Sequence, residues 1–206
     1  KKKGDKVIKP NIDLFDAGYR WAEENLDLKF EIPLLGLTEP QVVANGNTLE
    51  VRVDGVSLFG GPVVDSALST GSVALYSWGN IGSVFDNVHV GPVDVPPTLT
   101  VDFNDGNFSD WQVVNEGTWD APSAWTVVGG VLQQTSNIYD GNTDGTVLPK
   151  KGTFAWYTNG LGWSNYKVAV QMRSTDDDAL GIMVRYQNPT NYYRFSWDAQ
   201  RLYRRL

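Results

Sequence analysis

From Asn45 onward the apolar positions recur every second residue: Leu49, Val51 and Val53 alternate with Glu50, Arg52 and Asp54, between an Asn45-Gly46 turn and an Asp54-Gly55 turn. This is the pattern of a strand with one face in a core and the other toward water. Residues 71–78 and 85–90 predict two more strands, separated by the turn residues Gly79, Asn80, Ile81 and Gly82. The Pro-rich stretch 91–97 interrupts pairing and predicts a linker. Beyond it, residues 98–103 predict a strand followed by a polar loop, and residues 125–128 and 131–134 predict a hairpin about Gly129-Gly130. The alternation then repeats in Tyr166, Val168, Val170 and Met172, in Ile182, Val184 and Tyr186, and in Tyr193, Phe195 and Trp197. Turn-rich residues 174–179 and 187–191 separate these three runs, which predicts an antiparallel meander. Upstream, residues 11–26 predict a loop with a helical turn, and residues 26–37 a strand and a connection whose limits Pro33 and Pro40 blur.

Short apolar runs set among 21 Gly and 10 Pro in 206 residues place the chain in the all-β class, with an antiparallel β-sandwich as the expected architecture. The 8 Trp, 9 Tyr and 8 Phe supply ample material for its core. A formal net charge of −7 argues against nucleic acid as a partner, because phosphate contact needs a basic face. The absence of cysteine excludes disulfides and thiolate metal sites, so a bound cation such as calcium is the expected staple of an extracellular domain of this composition. No run of about 18 apolar residues occurs, and polar residues follow Lys1, Lys2 and Lys3, so membrane insertion is not expected.

Asp102-Phe103-Asn104-Asp105-Gly106-Asn107, the aromatic-rich stretch to Trp125, the run from Arg173 to Gln187 and Asn191-Tyr192-Tyr193-Arg194-Phe195 together resemble the first half of laminin-G-like and thrombospondin C-terminal-like jelly-roll repeats, of the concanavalin A-like kind. Residues 45–59, 71–78 and 85–88 resemble the second half. The resemblance implies a jelly roll whose halves stand in cyclically shifted order: 1–90 the C-terminal half, 91–97 a linker and 98–206 the N-terminal half, together one sandwich. Joined end to beginning, residues 201–206 and 1–7 read as one hairpin with Gly4-Asp5 in the turn. Three arrangements fit this order: a window of a tandem array, an assembly exchanging halves between chains, and a self-closed permuted domain. Self-closure is favoured because intramolecular pairing has the higher effective concentration. The resemblance also implies an extracellular or cell-surface location, and licenses architecture more than activity.

For calcium, Asp102, Asn104, Asp105 and Asn107 concentrate oxygen ligands in one loop, and Asp86 is expected nearby if the terminal strands pair. The competing reading is that these Asp and Asn side chains cap turns. Asp176, Asp177 and Asp178 read as a solvated loop, and the stretch from Asp140 to Asp144 lacks the downstream acid of a helix-loop-helix calcium site. For ligand binding, Trp156, Tyr157 and Trp163 flank a Gly-containing segment and are the expected rim of a carbohydrate platform, the other aromatics being assigned to the core. Arg201 and Arg204, with Arg205, Lys1, Lys2, Lys3 and Lys6, form a basic cluster suited to sulfated or uronic polysaccharide, or else a charged edge that resists aggregation. Catalysis is not expected: His89 is the lone histidine, no nucleophile elbow is present, and Glu23, Glu24 and Glu31 lack the spacing of the laminarinase-type acidic motif.

These readings describe a non-catalytic extracellular binding or adhesion module, calcium-stabilised, whose partners are a polysaccharide or glycoprotein glycan and neighbouring copies of the repeat. A structural repeat of a surface fibre or stalk, and a polysaccharide-degrading enzyme on the same scaffold, are the alternatives.

Overall fold

The alternating runs pair into two antiparallel sheets in the computed structural model, which describes residues 39–141 and 149–206. In chain order the strands are β1 (Pro40–Asn45), β2 (Thr48–Val53), β3 (Val56–Ser57), β4 (Val63–Val64), β5 (Ser72–Trp78), β6 (Ser83–Gly91), β7 (Leu99–Val101) and β8 (Trp111–Asn115). They continue with β9 (Trp125–Val128), β10 (Val131–Gln134), β11 (Thr153–Tyr157), β12 (Tyr166–Ser174), β13 (Ala179–Asn188), β14 (Asn191–Asp198) and β15 (Tyr203–Arg205). The larger sheet runs β3-β2-β1-β12-β6-β10-β9, with β4 on β2 and β7 on β6, and the smaller runs β15-β14-β13-β5-β11-β8. No helix occurs among the described residues, all of which belong to one compact unit.

The sheets face one another across a single core. The larger sheet contributes Val42, Val51, Phe85, Val88, Leu132, Val168, Val170 and Met172, and the smaller contributes Val73, Leu75, Ala155, Leu180, Ile182 and Phe195, all buried in one cluster. The protein is therefore an antiparallel β-sandwich, as the alternation predicts. Strands from both sides of residues 91–97 interleave: β1 and β6 flank β12 in one sheet, and β13 and β11 flank β5 in the other. The linker itself spans adjacent antiparallel strands, with Val90 opposite Leu99 and Val88 opposite Val101.

Three sequence readings change. The predicted meander of β12, β13 and β14 is split, because β13 and β14 form a hairpin while β12 crosses into the larger sheet between β1 and β6. Residues 111–115, read as polar loop, form β8, and residues 153–157, for which the sequence predicts no element, form β11 between β8 and β5. Pro40, read as blurring the limits of the segment before it, opens β1, a position where a strand tolerates a missing N–H. The helical turn in 11–26, the strand in 26–37, the hairpin half at 1–7 with Lys1, Lys2, Lys3 and Lys6, and most of the Asp140 to Asp144 stretch lie outside the described residues.

Two irregularities shape the sheets. In β6 the register shifts opposite Ala169 and Gln171, Asn87 takes φ +47°, and Phe85 and Val88 both reach the core although three positions apart. In β13 the shift follows Val184, where Arg185 takes φ +50° and is fully buried. A side chain added at Gly71 would collide with the Arg185 backbone, which is why the chain leaves no Cβ there. At the other end of β5, Asn80 ties both sheets together. Its Oδ1 accepts from Ser83 Oγ at 2.9 Å and Ser174 Oγ at 2.7 Å, and its Nδ2 donates to the Asp178 carbonyl at 2.8 Å. Gln134 Nε2 completes this buried network by donating to the Asn80 carbonyl at 3.0 Å.

Candidate ligand-binding face

All seven residues of β5 are buried, so this central strand is covered on both faces. Val73 and Leu75 enter the sandwich core, while Ala74, Tyr76 and Trp78 form a second apolar cluster on the opposite face of the smaller sheet. The strand register builds this outer face row by row. Phe154 of β11 lies opposite Tyr76, and Trp156 of β11, Ala74 of β5, Met183 of β13 and Arg194 of β14 form the next row. Tyr186 packs on Phe154 and Trp156, with ring centroids at 5.3 and 5.2 Å, and stacks on Tyr192 at 6.4 Å.

Cations lie over these rings. The Arg194 guanidinium sits 4.0 Å from the centre of Tyr76 and 6.0 Å from that of Tyr192. Trp78 carries two, Lys150 Nζ at 4.3 Å and Arg201 at 4.8 Å. The Lys150 carbonyl accepts from the Tyr76 hydroxyl at 2.7 Å and from Arg194 Nη1 at 2.9 Å, which fixes the Arg194 head over the sheet. Arg201 is also bonded to Asp178 at 2.7 Å and to the buried Asp198 at 3.0 Å.

Glu116, just beyond β8, is the carboxylate of this face. Its Oε2 is buried without a hydrogen-bond partner, and burial raises its pKa above the ordinary glutamate value, partly offset by Arg194 and Lys151. Desolvation also pushes the Tyr186 hydroxyl up to about 12 and raises that of Tyr192, so both phenols remain protonated at neutral pH. The Trp78 indole N–H is likewise buried and unpaired. Half-buried rings at Trp156 and Tyr192 beside a fixed guanidinium and a carboxylate supply stacking surface together with donors and acceptors. Where the face meets the edge of its sheet, a cavity of about 460 Å³ is lined by Tyr192, Arg194, Lys150, Arg204 and Arg205. A smaller recess of about 300 Å³ on the larger sheet is lined by Glu39, Gln41, His89 and Lys167.

The residues expected from sequence are distributed over several places. Trp156 is on the outer face, but Tyr157 and Trp163 are on the other side of the sheet, because neighbouring positions of a strand point oppositely. Tyr157 and Trp163 stack at 5.5 Å and pack on the sandwich core, so the expected three-ring rim does not form. Arg201 is held in its ion network, and Arg204 is exposed at the cavity edge.

In the loop of residues 102–107, from which calcium ligands are expected, Asp102 Oδ1 accepts from the Asn104 N–H at 3.2 Å, Asp105 Oδ1 from Asn107 at 2.8 Å and Asn107 Oδ1 from Ser109 at 2.8 Å. These are turn caps. Asp86 caps Asn87 within the β6 bulge, Oδ1 to N at 2.7 Å. Among the described residues, the three acids whose ligand atoms converge within 4.8 Å are Asp176, Asp177 and Asp178. Two of them are already engaged, Asp176 with the Ile81 N–H at 2.9 Å and Asp178 with Arg201.

Glu116, Lys150, Tyr186, Tyr192 and Arg194 escape the sequence reading. A signal for part of the set was present: once Tyr193, Phe195 and Trp197 are given to the core, Tyr192, Arg194 and Ser196 must share the opposite face. Compared with known proteins, the chain matches no family model and no curated relative.

Proposed function

We propose that this protein is a non-catalytic binding module that recognises glycan on the outer face of its smaller sheet. The observation that carries the reading is the grouping of Trp156, Tyr186 and Tyr192 with the anchored Arg194 and the unpaired Glu116 oxygen. Aromatic rings stack on the apolar faces of sugars, and planar charged groups hold pairs of hydroxyls, so this combination suits a saccharide. The reading takes the sandwich as a concanavalin A-like jelly roll of an extracellular or cell-surface protein, supported by the motif resemblance. Calcium belongs to it as a stabiliser of residues 102–107, supported by the density of side-chain oxygens there. A glycan array probed with the 206-residue chain, with and without calcium, tests it; saccharide binding weakened in Trp156→Ala is the expected result, and binding to no saccharide ends it.

One observation favours a second reading, a polysaccharide-degrading enzyme. Glu116 has the raised carboxyl of a general acid and is coupled electrostatically to Asp140, a second carboxylate. Release of reducing sugar from a polysaccharide panel, abolished by Glu116→Gln, is the result that would replace binding by hydrolysis.

A further inference from the structure

We infer that the glycan is anionic, and that its carboxylate or sulfate group is held in the cavity at the edge of the smaller sheet by Arg194 and Arg204. This inference rests on the glycan reading and narrows it to a class of ligand. Both arginines line one cavity of about 460 Å³ together with Arg205 and Lys150, and no acidic residue is among the described residues lining it. In a chain of net charge −7 such a concentration of one sign runs against the background, and clustered cations in a concave site raise the local concentration of an anion.

The chemistry of the lining points the same way. Arg194 is held by its stack on Tyr76 and by its bond to the Lys150 carbonyl, and that bond commits only one of its N–H donors. A guanidinium fork held in place suits a carboxylate or sulfate, which present oxygens in pairs. Glu116, the acid that bears electrostatically on Arg194, makes no ion pair with it within 4.0 Å, so it does not occupy the fork. Tyr192 lines the same cavity and stacks on Tyr186, which packs on Trp156. A sugar ring on the aromatic rows would therefore place a charged substituent at the cations.

Calorimetric binding to the full chain tests this with matched oligosaccharides: a neutral one, its uronate counterpart and its sulfated counterpart, each at low and high salt. The charged forms are expected to bind at least about tenfold more tightly than the neutral one and to weaken as salt rises. The arm that binds identifies the anion as carboxylate or sulfate. Arg204→Glu, at an exposed position, is expected to cost about tenfold or more for the charged ligand and little for the neutral one. Arg194→Lys keeps the charge but loses the fork, and is expected to weaken binding with the circular dichroism spectrum unchanged. Equal affinity for neutral and charged forms, or indifference to Arg204→Glu, overturns the inference while the glycan reading stands. Binding of no saccharide at all ends both.

Discussion

Nη2 of Arg185 donates a 2.6 Å hydrogen bond to the carbonyl of Gly46, joining positions 139 residues apart. Nη1 of the same side chain bonds the Leu68 carbonyl at 2.6 Å, and its backbone N–H donates to the Tyr166 hydroxyl at 2.7 Å. One buried cation thus ties the β1–β2 turn and the loop before β5 to the bulge in β13. Removing it takes the guanidinium donors from the Gly46 and Leu68 carbonyls and empties a fully buried site. Arg185→Ala is expected to lower the unfolding free energy by about 3 kcal/mol in a urea titration. Gly71→Ala, which pushes a methyl group into the Arg185 backbone, is expected to destabilise as well.

The network centred on Asn80 predicts a similar cost at the opposite end of β5. Asn80→Ala removes the acceptor shared by the hydroxyls of Ser83 and Ser174 and breaks the link to Asp178, and about 2–3 kcal/mol of stability is expected to be lost. Urea midpoints of the variant and the parent measure it.

Two tryptophans seven positions apart are expected to separate binding from stability. Trp156→Ala, on the outer face, should weaken saccharide binding by about tenfold. Trp163→Ala, which removes a ring stacked on Tyr157 and set edge-on to Tyr166, should lower the melting temperature and leave the affinity of the folded protein unchanged. Calorimetric titration and thermal melts of both variants make the comparison, and the reverse pattern would move the site to the other side of the sheet.

The raised carboxyl of Glu116 gives stability a direction with pH. Burial makes the folded state hold this proton more tightly than the unfolded chain, so stability from this group is greatest below the ordinary glutamate value. It declines as pH climbs from there through the raised value. Glu116→Gln removes the titration. The gain in melting temperature of Glu116→Gln over the parent is expected to be small in acid, to grow across that interval and then to level off; a constant difference at all pH values would mean that burial does not act on this carboxyl.

Calcium, as proposed for residues 102–107, predicts a melting temperature that rises with added calcium and falls with chelator, a response diminished in Asp102→Ala and Asp105→Ala. Indifference of the parent to chelator removes the cation and leaves the side chains as turn caps.

The strands that sequence made legible are those whose alternation is complete within a few residues. β2, β9, β10 and β14 show it directly, and Gly129-Gly130 marks the hairpin between β9 and β10. β8 and β11 were hidden because their partners are remote: Phe154 lies opposite Tyr76, and Val114 opposite Phe154. β11 is nearly continuous in its burial, which erases the two-residue period and leaves an aromatic cluster resembling a loop rim. The oxygen-rich loop was legible as composition, whereas the direction in which each carboxylate points depends on backbone geometry that composition does not carry.

Periodicity, turn residues and apolar content, read along the chain, were sufficient for the all-β class and for most of the core, because a strand's two faces are a local property of its own residues. Which sheet each strand joins, that Trp156 and Trp163 lie on opposite sides, and that Glu116, Lys150, Tyr76 and Tyr192 gather around Arg194 were decided by tertiary structure alone. Those relationships arise from pairings between distant segments, and an unpaired carboxylate or a cation over a ring exists only once such segments have been packed together.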